Sequence, residues 1–445
     1  MGLTKFKITR TGEYFYYDNN KNGLLDNNFK PLYRPFEPYP EFEELKDRFG
    51  TNTKSKSPEA IKITLGHGCN YSCGYCLQKD IGNPDERPAN GLTPTLLKNI
   101  QRHLDLHRLE RIELWGGETL LYWKDMLPII DALDREGITW YIPTNGTTLL
   151  PKHLDKFMTL KGNVTIGISH DGPGHEELRG KEFIHKKVEV FRRIQDECFP
   201  KIQFSFNPVI SRNNYDLFAI NDFFADFIAK NNLKPIAIQF ELGRVYDEDM
   251  AENSTHHVIA GDDIEKYRVI LHRFLDAHLQ HFTDGNFAKT EEEFRDAGHA
   301  MNATLLANSL FHTGLGVIPY AKTLRDESVP LLTTNCGADD SRLISMDLLG
   351  NIRTCQNVDE TYNSGNLMMI GGVRVHNVNF DRSDFCGTCP VYRLCKSSCP
   401  LDLGTAVFHT NHNIETIHYG EIQKAAFKLL FKSEIEEIER NIQHP

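Results

Sequence analysis

Between residues 60 and 241 short β-rich runs alternate with segments whose apolar positions repeat at helical spacing. The runs Ile61–Leu65, Arg111–Trp115, Thr139–Ile142, Val164–Ile168, Ile202–Phe206 and Ile236–Phe240 have the length and composition of strands. The first helix between them begins at Thr93, an N-cap, with Pro94 at the first helical position. Leu96, Leu97, Ile100 and Leu104 then fall on one face. A second helix fits Trp123–Glu136 and stops at Gly137, a suitable C-cap. Further helices fit Pro151–Leu160, Glu182–Glu197 and Tyr215–Asn231. Six strand–helix repeats predict an α/β fold with parallel strands joined by right-handed crossovers. Six is short of the eight that close a full barrel, so a partial (β/α)6 barrel is expected.

Chemistry in such folds gathers at the C-terminal ends of the strands. The first strand runs into Cys69-Asn-Tyr-Ser-Cys73-Gly-Tyr75-Cys76 and the second into Gly116-Gly117-Glu118. The third is followed by Thr144-Asn145-Gly146, the fourth by Ser169-His170-Asp171-Gly172, the fifth by Asn207 and the sixth by Glu241. Polar and glycine-rich turns therefore converge on one rim, which says more than any single motif.

At 445 residues the chain is long enough for two or three domains. It has no apolar run of membrane-spanning length, and its first residues lack the apolar centre of a secretory signal, so a cytoplasmic protein with no membrane partner is expected. A net charge of −11 argues against a nucleic-acid surface. The chain has ten cysteines, and in the cytoplasm they should be thiols. Cys198 stands alone and fits a small buried hydrophobe. The other nine form two groups, and clustered reduced thiols point to metal.

In the first group three residues separate Cys69 from Cys73 and two separate Cys73 from Cys76. Thiolates select iron–sulfur clusters, zinc or copper(I). Structural zinc is normally closed by four ligands, and His67 could supply the fourth here; three ligands alone leave one iron of a cluster open to something else. This C-x3-C-x2-C loop, with aromatic Tyr75 before its last cysteine and Gly116-Gly117-Glu118 after the second strand, resembles the radical S-adenosylmethionine (radical SAM) superfamily. The resemblance covers about residues 60–241. It implies that Cys69, Cys73 and Cys76 hold a catalytic [4Fe–4S] cluster whose open iron takes the amino and carboxylate groups of S-adenosylmethionine. It further implies reductive cleavage to a 5′-deoxyadenosyl radical, which abstracts hydrogen from an unactivated C–H bond. Gly116 and Gly117 would let backbone approach the methionyl group, and Glu118 would accept from its ammonium. Tyr75 would pack near the adenine, and Ser169 and Asp171 would hold the ribose hydroxyls. Asn145 and Arg179 are further candidate cofactor contacts. An external electron donor such as a flavodoxin or ferredoxin is implied as a partner.

The second group comprises Cys336 and Cys355, followed by Cys386, Cys389, Cys395 and Cys399 in a C-x2-C-x5-C-x3-C pattern. A zinc ribbon is the bland alternative. Leu343–Met346 and Ile352–Thr354 flank Leu349-Gly350-Asn351 as a β-hairpin would. The pattern resembles the SPASM domain, an auxiliary-cluster extension of peptide-modifying radical enzymes. Carried over, Cys336, Cys355 and Cys399 hold an inner auxiliary [4Fe–4S] cluster, and Cys386, Cys389 and Cys395 an outer one. The family's seventh cysteine is missing, since no cysteine follows Cys399. His409, His412 and His418 lie in that tail, and imidazole can replace thiolate on iron. His418, just before a helix expected over Glu421–Phe431, is the preferred replacement.

The chain thus divides into a β-rich extension (1–58), including a hairpin over Lys5–Tyr17 that could cap the barrel or grip a substrate. A radical SAM partial barrel (59–245), a helical bridge (246–333) with helices near Asp262–Phe282 and Glu291–Phe311, and a SPASM domain (334–445) follow. The resemblance implies a peptide substrate, a short precursor peptide that is crosslinked, epimerised or oxidised. A sulfatase-type maturase forming formylglycine and a radical enzyme acting on a small molecule or cofactor precursor are the alternatives. A non-catalytic electron-transfer protein is disfavoured, because the three-cysteine loop and Gly116-Gly117-Glu118 are both intact.

Overall fold

The structure is a computed structural model. It describes residues 3–19, 22–33, 53–76, 78, 81, 92–243, 259–279, 317–325, 340–357, 363–373, 389, 391–395 and 406–442. Strands β1 (Leu3–Ile8), β2 (Tyr14–Asp18) and β3 (Gly23–Leu25) come first. The alternating region runs β4 (Ala60–Thr64), α1 (Leu92–His103), β5 (Arg111–Trp115), α2 (Trp123–Leu133), β6 (Thr139–Thr144), α3 (Pro151–Met158) and β7 (Asn163–Ile168). It continues through α4 (Val188–Arg193), β8 (Ile202–Phe206), β9 (Val209–Ile210), α5 (Leu217–Lys230), β10 (Ala237–Ile238) and β11 (Glu241–Leu242). After α6 (Asp262–Leu279) and α7 (Val317–Arg325) come β12 (Leu343–Asp347), β13 (Asn351–Arg353), β14 (Asn363–Asn366), α8 (Ala406–Phe431) and β15 (Ile435–Ile442).

The six expected strands lie side by side and parallel, in the order β4-β5-β6-β7-β8-β10. Sequential order is what successive crossovers of one hand produce. Alternation along each strand divides the two faces. Ile61, Ile63, Ile112, Leu114, Trp140, Ile142, Val164, Ile166 and Ile202 are buried with apolar residues of the helices, among them Leu96, Ile100, Met126, Ile129, Phe157 and Phe224. The intervening positions Lys62, Glu113 and Tyr141 are in register with one another on the other face. There Lys62 pairs with Glu113 at 3.4 Å, and the Trp115 indole N–H donates to Glu113 at 2.9 Å. Gly167 leaves room for the Tyr141 hydroxyl, which would lie 2.6 Å from an added Cβ.

Several elements differ from expectation for local reasons. The sixth strand keeps only Ala237–Ile238. The helix expected over 182–197 is broken: Glu182 accepts from the N–H groups of Phe183 and Ile184, a 3-10 turn covers Ile184–Lys186, and α4 then opens into a π-type turn at Ile194–Cys198. Cys198 is buried as expected. Helix α6 begins at the expected Asp262, whereas Glu291–Phe311 lies outside the described residues. The C-terminal helix begins fifteen residues before the expected Glu421, at Ala406.

The two ends of the chain meet. The N-terminal hairpin forms as expected, and β15 adds to β1 to give a four-stranded sheet in the order β15-β1-β2-β3. That sheet lays Phe6, Phe15 and Tyr17 on Phe427 of α8. β12 pairs in parallel with β4, and the predicted hairpin continues through β13 and β14. The central sheet therefore runs across the boundary expected at residue 334, and β12 covers what would be an open edge.

His153, at the start of α3, is buried and takes the Leu150 N–H on Nδ1 at 3.2 Å. Burial, with Lys152 and Lys187 adding, pushes its pKa down from 6.5 to about 4. A histidine depressed in the fold takes up its proton first in the unfolded chain, so its contribution is intact above pH 6.5 and lost as pH falls toward 4. His153→Gln, whose amide oxygen can accept the same N–H, should flatten the fall of the urea midpoint across that window.

Candidate active site

The rim is organised by two loops held backbone to backbone. The Gly117 N–H donates to the Gly66 carbonyl at 3.0 Å, and the Glu118 N–H to the Gly68 carbonyl at 2.9 Å. A Cβ on Gly117 would lie 2.3 Å from the His67 carbonyl oxygen and 2.5 Å from that of Gly68, so only glycine allows this approach. The Gly68 N–H donates to the Tyr122 hydroxyl at 2.6 Å. The stem of the cysteine loop is thus clamped by the turn after β5.

Beyond that stem the loop presents Cys69, Cys73 and Cys76, all half-buried free thiols. The Tyr71 N–H donates to Cys69 Sγ at 3.4 Å, and the Gly74 N–H to the Leu178 carbonyl at 3.0 Å. Asn145 reaches in from the turn after β6, donating through Nδ2 to Asn70 Oδ1 at 2.7 Å and to Cys69 Sγ at 3.9 Å. Burial, opposed by Arg179 and reinforced by Cys76 and Cys69, pushes the Cys73 thiol up to about 12. Burial likewise raises Cys69. Desolvated, mutually repelling thiols hold their protons in the absence of metal, so metal binding here must release them. Among the described residues, the one trio of metal-capable side chains converging within 4.8 Å is His272, Asp276 and Glu434. Lys428 bridges two of its members, Asp276 and Glu434. The three thiols of the loop do not all lie within 4.8 Å of one another, whereas a single tetrahedral ion with bonds of about 2.3 Å would hold its ligands about 3.8 Å apart. A multi-iron cluster suits them better than zinc.

The carboxylates behind the loop are turned inward. Glu118 is 1% exposed. Its Oε1 accepts from Leu120 N–H (3.0 Å), Thr144 Oγ1 (2.6 Å) and Thr148 Oγ1 (3.2 Å), and its Oε2 accepts from Asn145 N–H (2.6 Å). It therefore joins the β5 and β6 turns. Asp171 is completely buried and is the hub of a second set. Arg179 grips it bidentately (2.8 and 3.1 Å), the Val209 N–H donates at 2.9 Å, and the Tyr75 hydroxyl also donates to it. Arg179 also lies 5.2 Å from the Tyr75 ring centroid. Tyr75 and Arg179 thus meet as expected, but through Asp171. Ser169, half-buried at the end of β7, holds its own N–H on the Thr144 carbonyl at 2.8 Å.

Support residues that the motifs did not single out lie just beside them. Tyr122 and Thr148 are four and three residues from a named residue, Thr144 stood in the turn quoted with Asn145 without a role, and a buried carboxylate's need for donors would have pointed to the two threonines. His170 bonds Glu182 at 2.8 Å and stacks on His175 with centroids 4.0 Å apart beneath the Asp171 turn.

Of the second cysteine group, Cys355, Cys389 and Cys395 are described, whereas Cys336, Cys386 and Cys399 lie outside the described residues. Gln78, just past the first loop, donates to the Gln356 carbonyl (3.2 Å) and to Asn357 Oδ1 (3.1 Å), which ties that loop to the Cys355 turn. Cys395 lies against Glu415 of α8 at 3.6 Å, and the Cys389 carbonyl accepts from Asn19 at 2.7 Å. His418 is buried with Nδ1 2.6 Å from the Tyr267 hydroxyl of α6.

This geometry, a three-thiol loop at the rim of a six-stranded parallel sheet, agrees with the family comparison. Residues 63–216 match the family model described as Radical SAM superfamily. That match identifies residues 63–216 as a radical SAM domain, a kind of domain that works with S-adenosylmethionine and a [4Fe–4S] cluster. It is 24% identical over 262 residues to the radical SAM cyclopropyl synthase TigE of Paramaledivibacter caminithermalis, covering 53% of this chain and 54% of that protein. It is 29% identical over 197 residues to molybdenum cofactor biosynthesis protein 1 of Homo sapiens, covering 43% of this chain and 29% of that protein. These matches span about half or less of the curated relatives. The solved structure of native anSMEcpe with bound AdoMet and Cp18Cys peptide shares the fold, with TM-score 0.52 and 16% identity, over 84% of this chain and 97% of that one.

Two substitutions test the clamp. Gly117→Ala should force the cysteine stem away and lower iron at the first loop, measured as iron per chain after anaerobic reconstitution. Glu118→Ala leaves four buried donors without their acceptor and should cost about 2–4 kcal/mol by denaturant unfolding. Glu118→Gln should cost less, because its amide oxygen keeps part of the set.

Proposed function

We propose that the chain is a radical SAM enzyme that modifies a peptide, with a C-terminal SPASM-type region holding two auxiliary [4Fe–4S] clusters. The observation that carries this reading is the link from the catalytic-type cysteine loop, through Gln78, to the turn that carries Cys355. A second thiol group beside the first suits an enzyme that must move an electron after hydrogen abstraction. Cys69, Cys73 and Cys76 would hold the catalytic cluster, with S-adenosylmethionine on its open iron. Bound there, the cofactor supplies reductive cleavage of its sulfonium and abstraction of hydrogen from a C–H bond.

The chain's own residues then have distinct tasks. Gly116 and Gly117 give the cofactor a surface without side chains, and Asn145 keeps one amide against Cys69. Glu118 holds the Asn145 turn in place. Ser169, half-buried at the end of β7, would offer its hydroxyl to the ribose. Asp171 positions Tyr75 and Arg179, since a direct ribose contact would have to displace one of its present donors. Cys336, Cys355 and Cys399 are assigned to the inner auxiliary cluster and Cys386, Cys389 and Cys395 to the outer.

A peptide substrate is supported by the fold shared with anSMEcpe, whose solved structure holds a bound peptide, and by a relative named for forming a cyclopropyl group. The electron donor would be a flavodoxin or ferredoxin. A small-molecule substrate is the second reading, favoured by the 29% identity to the molybdenum cofactor biosynthesis protein. A formylglycine-forming maturase is a variant of the first.

Cys73→Ala should abolish 5′-deoxyadenosine formation while leaving the auxiliary iron, about eight atoms on the basis of four per cluster. Cleavage near the wild-type rate would refute the catalytic assignment. Mass spectrometry of a co-expressed short peptide encoded beside the gene should show loss of hydrogen. Deoxyadenosine formation stimulated by a metabolite, with no peptide altered, would favour the small-molecule reading.

A further inference from the structure

The face of the parallel sheet opposite the helices carries Glu113, Tyr141, Gly167 and Ser205, and at the ends of its last strands stand Asn207 and Glu241. Two carboxylates at this face are matched by cations. Glu113 has Lys62 at 3.4 Å and Arg111 at 3.0 Å, and Asp171 has Arg179 at 2.8 Å. Glu241 has no such partner among the described residues. Its side chain takes one long hydrogen bond, 3.4 Å from Asn207 Nδ2. The Ser205 hydroxyl donates to Asn207 Oδ1 at 2.8 Å, which turns the amide N–H groups toward the carboxylate. Glu241 itself is fixed by its backbone, whose N–H donates to the Pro208 carbonyl at 3.0 Å while the residue pairs with Val209. Arg179 acts on it only from a distance, because Asp171 grips that guanidinium.

Glu241 keeps open surface and is nevertheless ringed by protein. Burial raises its carboxyl above the usual range, opposed by Asn207 and Arg179 and reinforced by Asp171. The same carboxylate, after burial, raises the hydroxyl of Tyr141, which stands beside it. A carboxylate that solvent can reach, in a concave polar site and short of donors, is completed by a ligand that brings them.

We propose that Glu241 anchors the substrate by a cationic group, an ammonium or guanidinium such as a lysine side chain, an arginine side chain or a free N-terminus carries. This deepens the reading of a peptide substrate and rests on it. Such a group brings several donors and no acceptor, which matches a carboxylate whose lone pairs are largely unfilled. The methionyl ammonium of S-adenosylmethionine is assigned elsewhere, to the Gly116-Gly117 turn after β5, and β6, β7 and β8 separate β5 from β10. Ser169, the candidate for the ribose, ends β7, two strands from β10. Strands lie about 4.8 Å apart, so the anchor and the ribose position are separated by about 10 Å. A substrate held at Glu241 thus has that length for the carbon chain that reaches the ribose.

The test uses the full chain, reconstituted without oxygen and supplied with S-adenosylmethionine, with Kd measured by calorimetry. The probes are acetyl- and amide-capped alanine tripeptides whose central residue is lysine, arginine, norleucine or glutamate, an alanine tripeptide with a free N-terminus, and n-butylammonium. At least one cationic tripeptide should bind about ten- to a hundred-fold tighter than the norleucine one, the worth of a charge-assisted hydrogen bond, and which one does so distinguishes side chain from N-terminus. Glu241→Gln should remove that preference while leaving norleucine affinity, S-adenosylmethionine affinity and iron per chain unchanged. Glu241→Lys should shift the preference to the glutamate tripeptide. Equal affinity for cationic and neutral probes in the wild type, or no binding of either, would overturn the assignment, as would a preference that survives in Glu241→Gln. Weakened S-adenosylmethionine binding in Glu241→Gln would overturn it by moving Glu241 to the cofactor, and iron loss in both variants by marking it as structural. A Glu241-dependent preference in which n-butylammonium binds as tightly as the lysine tripeptide would keep the cation anchor and count against the peptide reading alone.

Discussion

The site depends on the contact between two glycine-bearing turns. Gly117 approaches His67 and Gly68 more closely than any residue with a Cβ could, and two backbone hydrogen bonds hold it there. Everything on the rim is built outward from that contact. It sets where the cysteine loop leaves β4. It brings Glu118 inward to collect the donors of the β6 turn, and through Asn145 it returns to Cys69. Three successive strand ends are thereby fixed relative to one another by main chain and one buried carboxylate, with no long flexible side chain in the path.

A second hub completes the rim on the far side of the loop. Asp171 gathers Tyr75 from the cysteine loop, Arg179 from the segment after β7 and the backbone of β9. The negative charge is buried at its centre, and bidentate Arg179 compensates it with charge-assisted hydrogen bonds. Arg179 also favours the thiolate form of Cys73, opposing the burial that raises it. A ligand entering here meets a surface whose charged groups are already paired and oriented, so little reorganisation is needed when it binds.

The C-terminal region is joined to this rim by structure rather than by a tether. β12 extends the sheet alongside β4, the strand that leads into the cysteine loop, while Gln78 bonds the turn after Cys355. The N-terminal sheet closes on α8 and on the Cys389 carbonyl, so both chain ends brace the second cysteine group. The elements expected to be separate domains share a sheet and an apolar core.

Much of this was legible without coordinates. The six parallel strands, their order and the rim on which the cysteine, Gly-Gly-Glu and Asn-Gly turns converge follow from periodicity and crossover handedness, which are local properties of the chain. The candidate cysteine ligands are likewise legible locally, since C-x3-C-x2-C can close on one metal centre whatever surrounds it. What packs against what is not local. No spacing rule says that Glu118 and Asp171 turn inward to bind protein donors, that β12 joins β4 across some 280 intervening residues, or that α8 starts at Ala406 and aims Glu415 at Cys395 while His418 faces Tyr267. One turn of helix separates those two side chains in sequence. Which of them meets sulfur depends on how α8 is rotated against α6 and the terminal sheet, and that rotation is set by the burial of Phe427 and its neighbours, a property of the assembled core alone.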